Sequence, residues 1–310
     1  MTDARLLTID TGYLRPELAA CYLRVQGGEA AVIETNTARA APRVLAALEA
    51  AGVRREQVRW VIVTHAHLDH AGGAAALLRA LPAATLVAHP RAARHLVDPE
   101  RLVASATKVY GPDAFEAIYG SVDPVPADRV RTVEDGEAID LGSARMAFLH
   151  TPGHARHHLV AHDPACDTVY TGDTFGLAYP RLQRAGRFVV ASTSPTDFDA
   201  ADARASVDRI LALGTTTACP THFGRIDRLH EAADQLRWWI DRSEALVEEA
   251  AAMEPEAAES HVQARLRSAM DEALARRGLV ADDEDRALLS MDLALNAQGL
   301  LWVAAKRREG

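Results

Sequence analysis

The stretch Val58–His70, VRWVIVTHAHLDH, passes from an apolar run directly into three histidines and an aspartate. Its β-branched residues and tryptophan predict that the apolar run is a buried strand. In a chain that stays extended, alternate side chains share a face, so His65, His67 and Asp69 converge while His70 falls out of phase. Imidazole nitrogens and carboxylate oxygens suit Zn, Fe or Mn. The stretch therefore predicts a metal site at the end of a strand.

Three further polar residues each follow a predicted strand closely. They are His154 after Thr151-Pro152-Gly153, Asp173 after Tyr170-Thr171-Gly172, and His222 after Pro220-Thr221. Glycine allows close backbone approach, and loops at strand ends are held by a rigid sheet. Two ions that leave room for a water need six or seven ligands, so we interpret these residues as completing the set.

The order H-x-H-x-D-H, glycine–histidine turn, glycine–aspartate turn and late histidine resembles the metallo-β-lactamase-fold hydrolase superfamily over roughly the first 225 residues. That superfamily includes hydroxyacylglutathione hydrolases (glyoxalase II), lactonases, arylsulfatases and ribonucleases. The resemblance implies an α+β fold, an αβ/βα four-layer sandwich. It also implies a ligand set in which His65, His67 and His154 hold one ion, Asp69, His70 and His222 hold the other, and Asp173 bridges them.

The resemblance further implies two divalent metal ions per chain. The donor set accepts Zn, Fe or Mn, and we expect Zn. Two such ions share a water whose pKa falls far enough to give a bridging hydroxide near neutral pH. That hydroxide would cleave an ester, thioester or lactone, with Asp69 orienting it. Tyr179, six residues after Asp173, could donate a hydrogen bond to a substrate oxygen.

Two other functions remain open from the sequence. The loop Gly172–Gly176 resembles that of diiron redox and oxygen-binding proteins of the same fold, although His67 stands where that pattern has glutamate and we expect no flavin-binding domain. A non-catalytic ligand sensor with structural metal is the other alternative. Metal analysis, a visible absorption band on exposure to oxygen, and turnover distinguish the three.

The periodicity changes near residue 226, which predicts a catalytic domain over 1–225 and a carboxy-terminal helical extension over 226–310. The extension contains three apolar-periodic stretches, Leu229–Met253, His261–Arg277 and Asp283–Ala304. We expect that its strongly apolar part, Leu288–Val303, could form a homodimer.

Two segments within the first domain bear on the site and on access to it. Residues from about 89 to 125 predict an insertion of helical fragments bearing Tyr110, Phe115 and Tyr119, which could cover one side of a site. A helix over Ala200–Leu213 is predicted to begin through the capping cluster Ser194-Pro195-Thr196.

The amino-acid composition limits the classes of binding partner that we expect. The 310 residues carry 34 basic against 43 acidic side chains, a net charge of −9, so we expect a small-molecule substrate and no nucleic acid. The amino terminus lacks a signal-peptide pattern, and we expect no membrane span and a cytoplasmic protein. Three cysteines without C-x-x-C spacing predict buried thiols rather than a disulfide framework or cysteine zinc site.

Overall fold

The computed structural model describes residues 4–193 and 196–309. Its strands are β1 (Arg5–Asp10), β2 (Ala20–Gln26), β3 (Glu29–Ile33), β4 (Val58–Ile62), β5 (Thr85–Ala88), β6 (Val130–Thr132), β7 (Ala138–Leu141), β8 (Ala144–His150), β9 (Leu159–Asp163), β10 (Thr168–Gly172) and β11 (Thr217–Pro220). Its helices are α1 (Ala41–Ala50), α2 (Leu68–Ala71), α3 (Ala74–Ala80), α4 (Pro90–Val97), α5 (Glu100–Tyr110), α6 (Pro112–Tyr119), α7 (Ala200–Leu211), α8 (Leu229–Ala251), α9 (Pro255–Arg276) and α10 (Asp283–Glu309).

These elements divide into two compact units. Unit 1 comprises Met1–His150, His157–Gly172 and Thr215–Ile226, and unit 2 comprises Thr151–Arg156, Asp173–Gly214 and Asp227–Gly310. The last junction lies beside the boundary predicted from the sequence, but two earlier segments also belong to unit 2. The division into 1–225 and 226–310 stays a prediction.

Unit 1 contains two mixed sheets. One has the order β1-β2-β3-β4-β5-β6, antiparallel from β1 to β3 and parallel from β3 to β6; the other has the order β11-β10-β9-β8-β7 with only β10 and β11 parallel. Their facing side chains, such as Tyr22 and Ile62 from the first sheet and Phe148 and Tyr170 from the second, form one buried cluster. Apolar residues of α1, α3 and α4 cover the outer face of the first sheet.

Unit 2 contains the four long helices α7 to α10. Helix α8 packs against each of the other three, and α9 also packs against α10. Within this unit Asn296 of α10 bonds the loop before α7, since its Oδ1 accepts from Thr193 N at 2.8 Å and its Nδ2 donates to Ala191 O at 3.0 Å. The predicted carboxy-terminal helices are thus present, and buried amide groups fix α10 among its neighbours.

Three local expectations differ from the structure or lie outside it. The chain does not stay extended through the histidine cluster: it bends after β4 and enters the helical turn α2, so the alternation of faces predicted for His65, His67 and Asp69 is wrong. The cap of α7 is Asp199, whose side chain accepts from Asp202 N at 2.9 Å. Ser194 and Pro195 of the predicted cap lie outside the described residues.

The three cysteines are free thiols, as predicted. Cys21 and Cys219 are buried, and Cys166 is half-buried with its sulfur 3.0 Å from Asp163 Oδ2. Burial, followed by the Asp163 carboxylate, raises the pKa of the Cys166 thiol to about 11, so it remains protonated at neutral pH.

Candidate metal centre

Strand ends carry most of the predicted ligands. β4 leads into the histidine cluster, β10 ends one residue before Asp173, and β11 ends two residues before His222. His154 follows β8 by four residues. The sheets are rigid, so a side chain that closely follows the end of a strand is held with little freedom.

Unit 1 brings three of the predicted ligands together. Asp69, His70 and His222 each offer a ligand atom, and these atoms all lie within 4.8 Å of one another. Asp69 Oδ2 is 3.3 Å from His222 Nε2 and 3.8 Å from His70 Nε2. The helical turn α2 explains this arrangement, because it turns Asp69 and His70 together toward the loop after β11.

His65 and His67 form a second pair within unit 1. His65 Nε2 lies 2.8 Å from His67 Nδ1, and the His65 ring centroid is 4.0 Å from that of His70. The hydroxyl of Thr64 contacts His65 Nδ1 at 3.0 Å, which leaves Nε2 directed at His67. His65 Nε2 and His67 Nδ1 therefore face each other.

Unit 2 holds the other two predicted ligands. His154 Nε2 lies 3.5 Å from Asp173 Oδ2, and both side chains are buried. The opposite nitrogen, Nδ1, is 3.2 Å from the carbonyl oxygen of Ser192. Each unit therefore contains histidine nitrogens facing a carboxylate.

Three of the histidines are oriented in the same way. Nδ1 of His222 is 2.9 Å from Leu18 O, Nδ1 of His154 faces the Ser192 carbonyl, and Nδ1 of His70 is 3.5 Å from Glu34 Oε2. A carbonyl oxygen can only accept, so Nδ1 carries the proton in the first two. In each ring Nε2 faces a carboxylate oxygen, as it does in ligands fixed by an outer oxygen.

This arrangement fits a divalent cation. In the His222–Asp69 contact, the ring nitrogen opposite the Leu18 carbonyl faces a carboxylate oxygen at 3.3 Å, and with the ring neutral both atoms would offer lone pairs to a cation. Nitrogen and carboxylate donors, without thiolate, suit Zn, Fe or Mn. The chain thus presents histidine and aspartate clusters that could hold divalent metal ions.

At two positions directly before predicted ligands, the available space fits glycine and no larger residue. A Cβ on Gly172, which has φ +50°, would lie 2.5 Å from both His158 Nε2 and Thr64 Oγ1. A Cβ on Gly153 would lie 2.4 Å from backbone atoms of Ala203 in α7. The predicted close approach is confirmed, although the backbone approaches neighbouring side chains and a helix.

Glu34 is a site residue that the sequence analysis missed. It is buried directly after β3, its Oε1 accepts from Thr64 N at 3.1 Å, and its Oε2 faces His70. Next to it, Asn36 Nδ2 donates to the backbone oxygen of Asp69 at 2.8 Å. A polar residue following a strand closely was the signal used for His154, Asp173 and His222, and the same signal could have found Glu34.

Asp69 remains ionised in this surrounding. Burial opposes the charge, but His70, His222 and His67 together hold the pKa of the carboxyl well below its usual range. An ionised carboxylate can only accept hydrogen bonds, so Asp69 can orient a water by accepting a hydrogen bond from it.

Tyr179 and His158 are not among the seven predicted ligands, and they lie in different units. The Tyr179 hydroxyl donates to Asp292 Oδ1 of α10 at 3.1 Å, and both residues belong to unit 2. Its predicted donation to a substrate stays a prediction. His158 is buried in unit 1 with its ring centroid 4.8 Å from that of His65, beside a predicted ligand.

A family model described as the metallo-beta-lactamase superfamily matches residues 14–222, more than half of the chain. The chain belongs to the metallo-beta-lactamase superfamily. The match confirms the resemblance drawn from the histidine and aspartate motifs and the predicted α+β sandwich.

Relatives by sequence align with only part of this superfamily member. A metallo-beta-lactamase fold-containing protein, ST1585 of Sulfurisphaera tokodaii, is 35% identical over 128 residues, 40% of this chain and 47% of that protein. An uncharacterized protein of Mycobacterium tuberculosis is 32% identical over 171 residues, 52% of this chain and 67% of that protein. A hydroxyacylglutathione hydrolase of Anaeromyxobacter dehalogenans is 40% identical over 105 residues, 34% and 36% of the two chains. The chain spans about half the length of the first of these.

Solved structures share the fold over more of the chain. The archaeal superfamily protein ST1585 of Sulfolobus tokodaii has a TM-score of 0.66 at 22% identity and covers 95% of this chain and 97% of its own. The family protein TTHA1429 of Thermus thermophilus has a TM-score of 0.62 at 22% identity, covering 99% and 94%. At these identities the likeness establishes the fold.

Proposed function

We propose that this chain is a dinuclear-metal-dependent hydrolase that cleaves an ester, thioester or lactone. The observation that carries the proposal is the shared orientation of His70, His154 and His222, in which each ring faces an oxygen through Nδ1 and a carboxylate through Nε2. Several relatives are named hydroxyacylglutathione hydrolases, which supports hydrolytic chemistry.

Seven side chains would hold the two ions, with Zn as the expected metal. They are His65, His67 and His154 for one ion, Asp69, His70 and His222 for the other, and Asp173 between them. When bound, the metals would lower the pKa of a water and polarise the oxygen of the scissile bond.

The residues of the chain would perform the positioning. Asp69, ionised and beside His70 and His222, would accept a hydrogen bond from the attacking water through Oδ2 and fix its direction. Glu34 would keep His70 in a single orientation. Held this way, the groups need little reorganisation during the reaction, which is the main source of catalysis in preorganised polar sites.

The test combines metal analysis with turnover. Metal-quantified protein is assayed against a panel of thioester, lactone and phosphodiester substrates, together with His65→Ala and Asp173→Ala. We expect about two metal ions per chain in the wild type and loss of both metal and at least about 1,000-fold in turnover in the variants. His230→Ala, at an exposed histidine of α8, is the matched control and should retain both.

Three outcomes contradict the proposal. Turnover retained in a variant that binds no metal removes the metal from the reaction. Full metal occupancy without turnover across the panel favours a ligand sensor. A visible absorption band that develops on exposure to oxygen, together with iron, favours the diiron redox alternative.

A further inference from the structure

Helix α10 of unit 2 carries buried polar side chains on one face. Asp285, Asp292 and Asn296 are separated by seven and four positions, which places them on the same side of a helix with about 3.6 residues per turn. All three are buried. A buried polar group costs free energy unless it has hydrogen-bond partners, so the partners of these side chains indicate the role of this face.

The partners lie in the segment 173–193, which directly follows β10. Asp285 Oδ1 accepts from Arg181 Nε at 2.9 Å, close to the start of α10. Two turns later, Asp292 Oδ1 accepts from the Tyr179 hydroxyl at 3.1 Å. The buried polar face of α10 is therefore bonded to the middle of this segment.

Asn296 bonds the end of the same segment, on both sides of Ser192. Its Oδ1 accepts from Thr193 N at 2.8 Å, and its Nδ2 donates to Ala191 O at 3.0 Å. The Thr193 hydroxyl donates in turn to the backbone oxygen of Asn296 at 3.3 Å. Both ends of the side-chain amide are thus used, and the backbone before and after Ser192 is fixed to α10.

The carbonyl oxygen of Ser192 orients a predicted ligand. It lies 3.2 Å from His154 Nδ1, and because a carbonyl oxygen can only accept, it places the proton of a neutral ring on Nδ1. Nε2 of the neutral ring then carries no proton and faces Asp173 Oδ2 at 3.5 Å. Binding of a metal through Nε2 requires this tautomer.

The start of the segment carries Asp173, the other predicted ligand of unit 2. Leu177 N donates to Val190 O at 2.8 Å, and Val190 N donates to Leu177 O at 3.1 Å. These two bonds join the part of the segment that follows Asp173 to the part that precedes Ser192. Both predicted ligands of unit 2 are therefore connected to backbone that α10 holds in place.

We propose that Asn296 is a positioning residue of the metal centre, which acts through the Ser192 carbonyl oxygen to hold His154 in the tautomer that binds metal. The proposal deepens the proposed function and rests on its assignment of His154 as a ligand. A carbonyl oxygen in a loop selects a tautomer only while its backbone stays in place, and Asn296 anchors that backbone on both sides.

Gln235 of α8 provides a matched control. Its Oε1 accepts from Val189 N at 3.2 Å and its Nε2 donates to Arg187 O at 3.1 Å, so it also bridges the backbone on both sides of one residue, Phe188. The Phe188 carbonyl oxygen accepts from another glutamine side chain at 2.7 Å. Gln235→Ala therefore removes the same kind of bridge around a carbonyl oxygen that pairs with a glutamine instead of a histidine.

The first measurement determines the tautomer of His154 in the metal-free full chain. Long-range ¹H–¹⁵N NMR spectra at about pH 8.5, where an imidazole of ordinary pKa is neutral, distinguish a proton on Nδ1 from one on Nε2. The His154 signals are assigned from their absence in His154→Gln. We expect the Nδ1–H tautomer in the wild type and in Gln235→Ala, and a shift toward Nε2–H in Asn296→Ala.

The second measurement is zinc affinity, obtained by competition with a chelator of known affinity. We expect Asn296→Ala to weaken zinc binding by about tenfold, which is the lower end of the loss for an outer partner, because Asn296 acts through one further group. Gln235→Ala should bind zinc as the wild type does. A purely structural role would not produce this difference, since each variant removes two bonds from the backbone of the same segment.

Chemical unfolding checks that each variant is folded. Both alanine variants should unfold at lower denaturant concentration than the wild type, because each leaves backbone groups without their partner. If Asn296→Ala does not fold, Asn296→Asp takes its place. Its carboxylate still accepts from Thr193 N but cannot donate to Ala191 O, and we expect the same direction of tautomer shift with about a threefold loss of zinc affinity.

The results separate this inference from the proposed function. A wild-type tautomer or a wild-type zinc affinity in the Asn296 variant overturns the positioning role, as does an equal loss of affinity in Gln235→Ala or a wild-type His154 with its proton on Nε2; hydrolysis by the wild type then still stands. If the wild type binds no zinc but the Asn296 variant shifts the tautomer, Asn296 positions His154 and the hydrolase proposal fails. Neither zinc binding nor a tautomer shift overturns both.

Discussion

At the scale of single residues, several groups orient the histidines that are predicted to bind metal. Glu34 contacts both the backbone of Thr64 and the ring of His70, so one carboxylate holds the start of the H-x-H-x-D-H segment and one of its histidines. Main-chain oxygens of Leu18 and Ser192 do the same for His222 and His154. Such outer partners set which ring nitrogen is available to a metal.

At the residue scale, Glu34→Gln should weaken metal binding. The amide can still accept from Thr64 N, but the negative charge beside His70 is lost, and we expect metal affinity to fall about 10- to 100-fold. Competition with a chelator of known affinity measures the change. Glu29→Gln, at the partly exposed start of the same strand, is the control. Equal affinities in Glu34→Gln and the wild type would contradict the role.

His89 gives a prediction for pH dependence. Burial, followed by the neighbouring charges of His150, His157 and Arg91, lowers the pKa of His89 from 6.5 to about 4. Between those values the unfolded chain binds a proton that the folded chain does not. The free energy of unfolding should therefore fall as the pH falls from about 6.5 to about 4, by about 1 to 3 kcal/mol, and should not depend on His89 above that range.

His89→Asn isolates this contribution. His89 Nδ1 accepts from Arg91 N at 3.0 Å at the start of α4, and the asparagine oxygen can accept the same bond without titrating. Urea unfolding of the metal-free protein at pH 4.5 and 7.5 should show a smaller difference between the two pH values in the variant. The same difference in both proteins would rule out His89 as its source.

At the scale of elements, the two sheets of unit 1 are joined by a buried ion pair. Arg24 of β2 and Asp163 at the end of β9 lie 2.5 Å apart through Nε and Oδ2, with neither side chain exposed. Arg24 Nη2 also donates to Gln26 Oε1 at 2.8 Å. A charge in this position is tolerated because each partner has the other together with further polar contacts.

Removing one partner should therefore destabilise unit 1 strongly. We expect Asp163→Leu to lower the free energy of unfolding by about 3 to 5 kcal/mol, and the double change Arg24→Met with Asp163→Leu to be less harmful than the single one. Arg79→Met, which breaks the exposed pair with Asp123, should cost less than about 1 kcal/mol. Chemical denaturation measures these three variants and Arg24→Met alone, and additive effects of the changes at Arg24 and Asp163 would contradict a coupled pair.

At the scale of the whole molecule, helix α10 combines length with an apolar composition. By length and composition alone it could cross a membrane, and 44% of its most apolar 18-residue window is buried inside the protein. The expectation of no membrane span stays a prediction; Asp292, Asn296 and Gln298 interrupt the apolar run of this helix. Two of these, Asp292 and Asn296, are buried and bond the loops of unit 2, as in a core helix.

The predicted homodimer would involve the exposed part of the same helix. Trp302 is 36% exposed, and a groove of about 420 Å³ between α9 and α10 is lined by apolar residues such as Leu293 and Leu301 together with as many polar or charged ones, such as Arg286. We predict that the chain associates through this face, giving twice the 33.4 kDa chain mass in light scattering after size exclusion.

A charged side chain introduced at this face tests the association. Trp302→Glu should weaken dimerisation by at least about tenfold, because buried tryptophans commonly dominate interface free energies. Val280→Glu places the same charge on another exposed apolar residue and should not. A wild-type chain that runs as a monomer at micromolar concentration would refute the prediction.

The sequence alone determined the chemistry of the predicted ligands and their order along the chain. Close spacing explains this, since H-x-H-x-D-H places four donors within six residues and each remaining donor closely follows a strand. The resemblance carried by these motifs implied the α+β class, and local periodicity predicted the carboxy-terminal helices and the insertion with Tyr110, Phe115 and Tyr119.

Only the tertiary structure decided how those donors are oriented. His222 depends on the carbonyl oxygen of Leu18, 204 positions earlier, and Tyr13 meets Tyr119 across 106 positions. No local pattern encodes such contacts, because they arise when the folding of separate strands brings their ends together. The turn of α2 also escaped prediction, because hydrogen bonds from Thr35 and Asn36 to the His70 carbonyl oxygen, rather than local propensity, hold it.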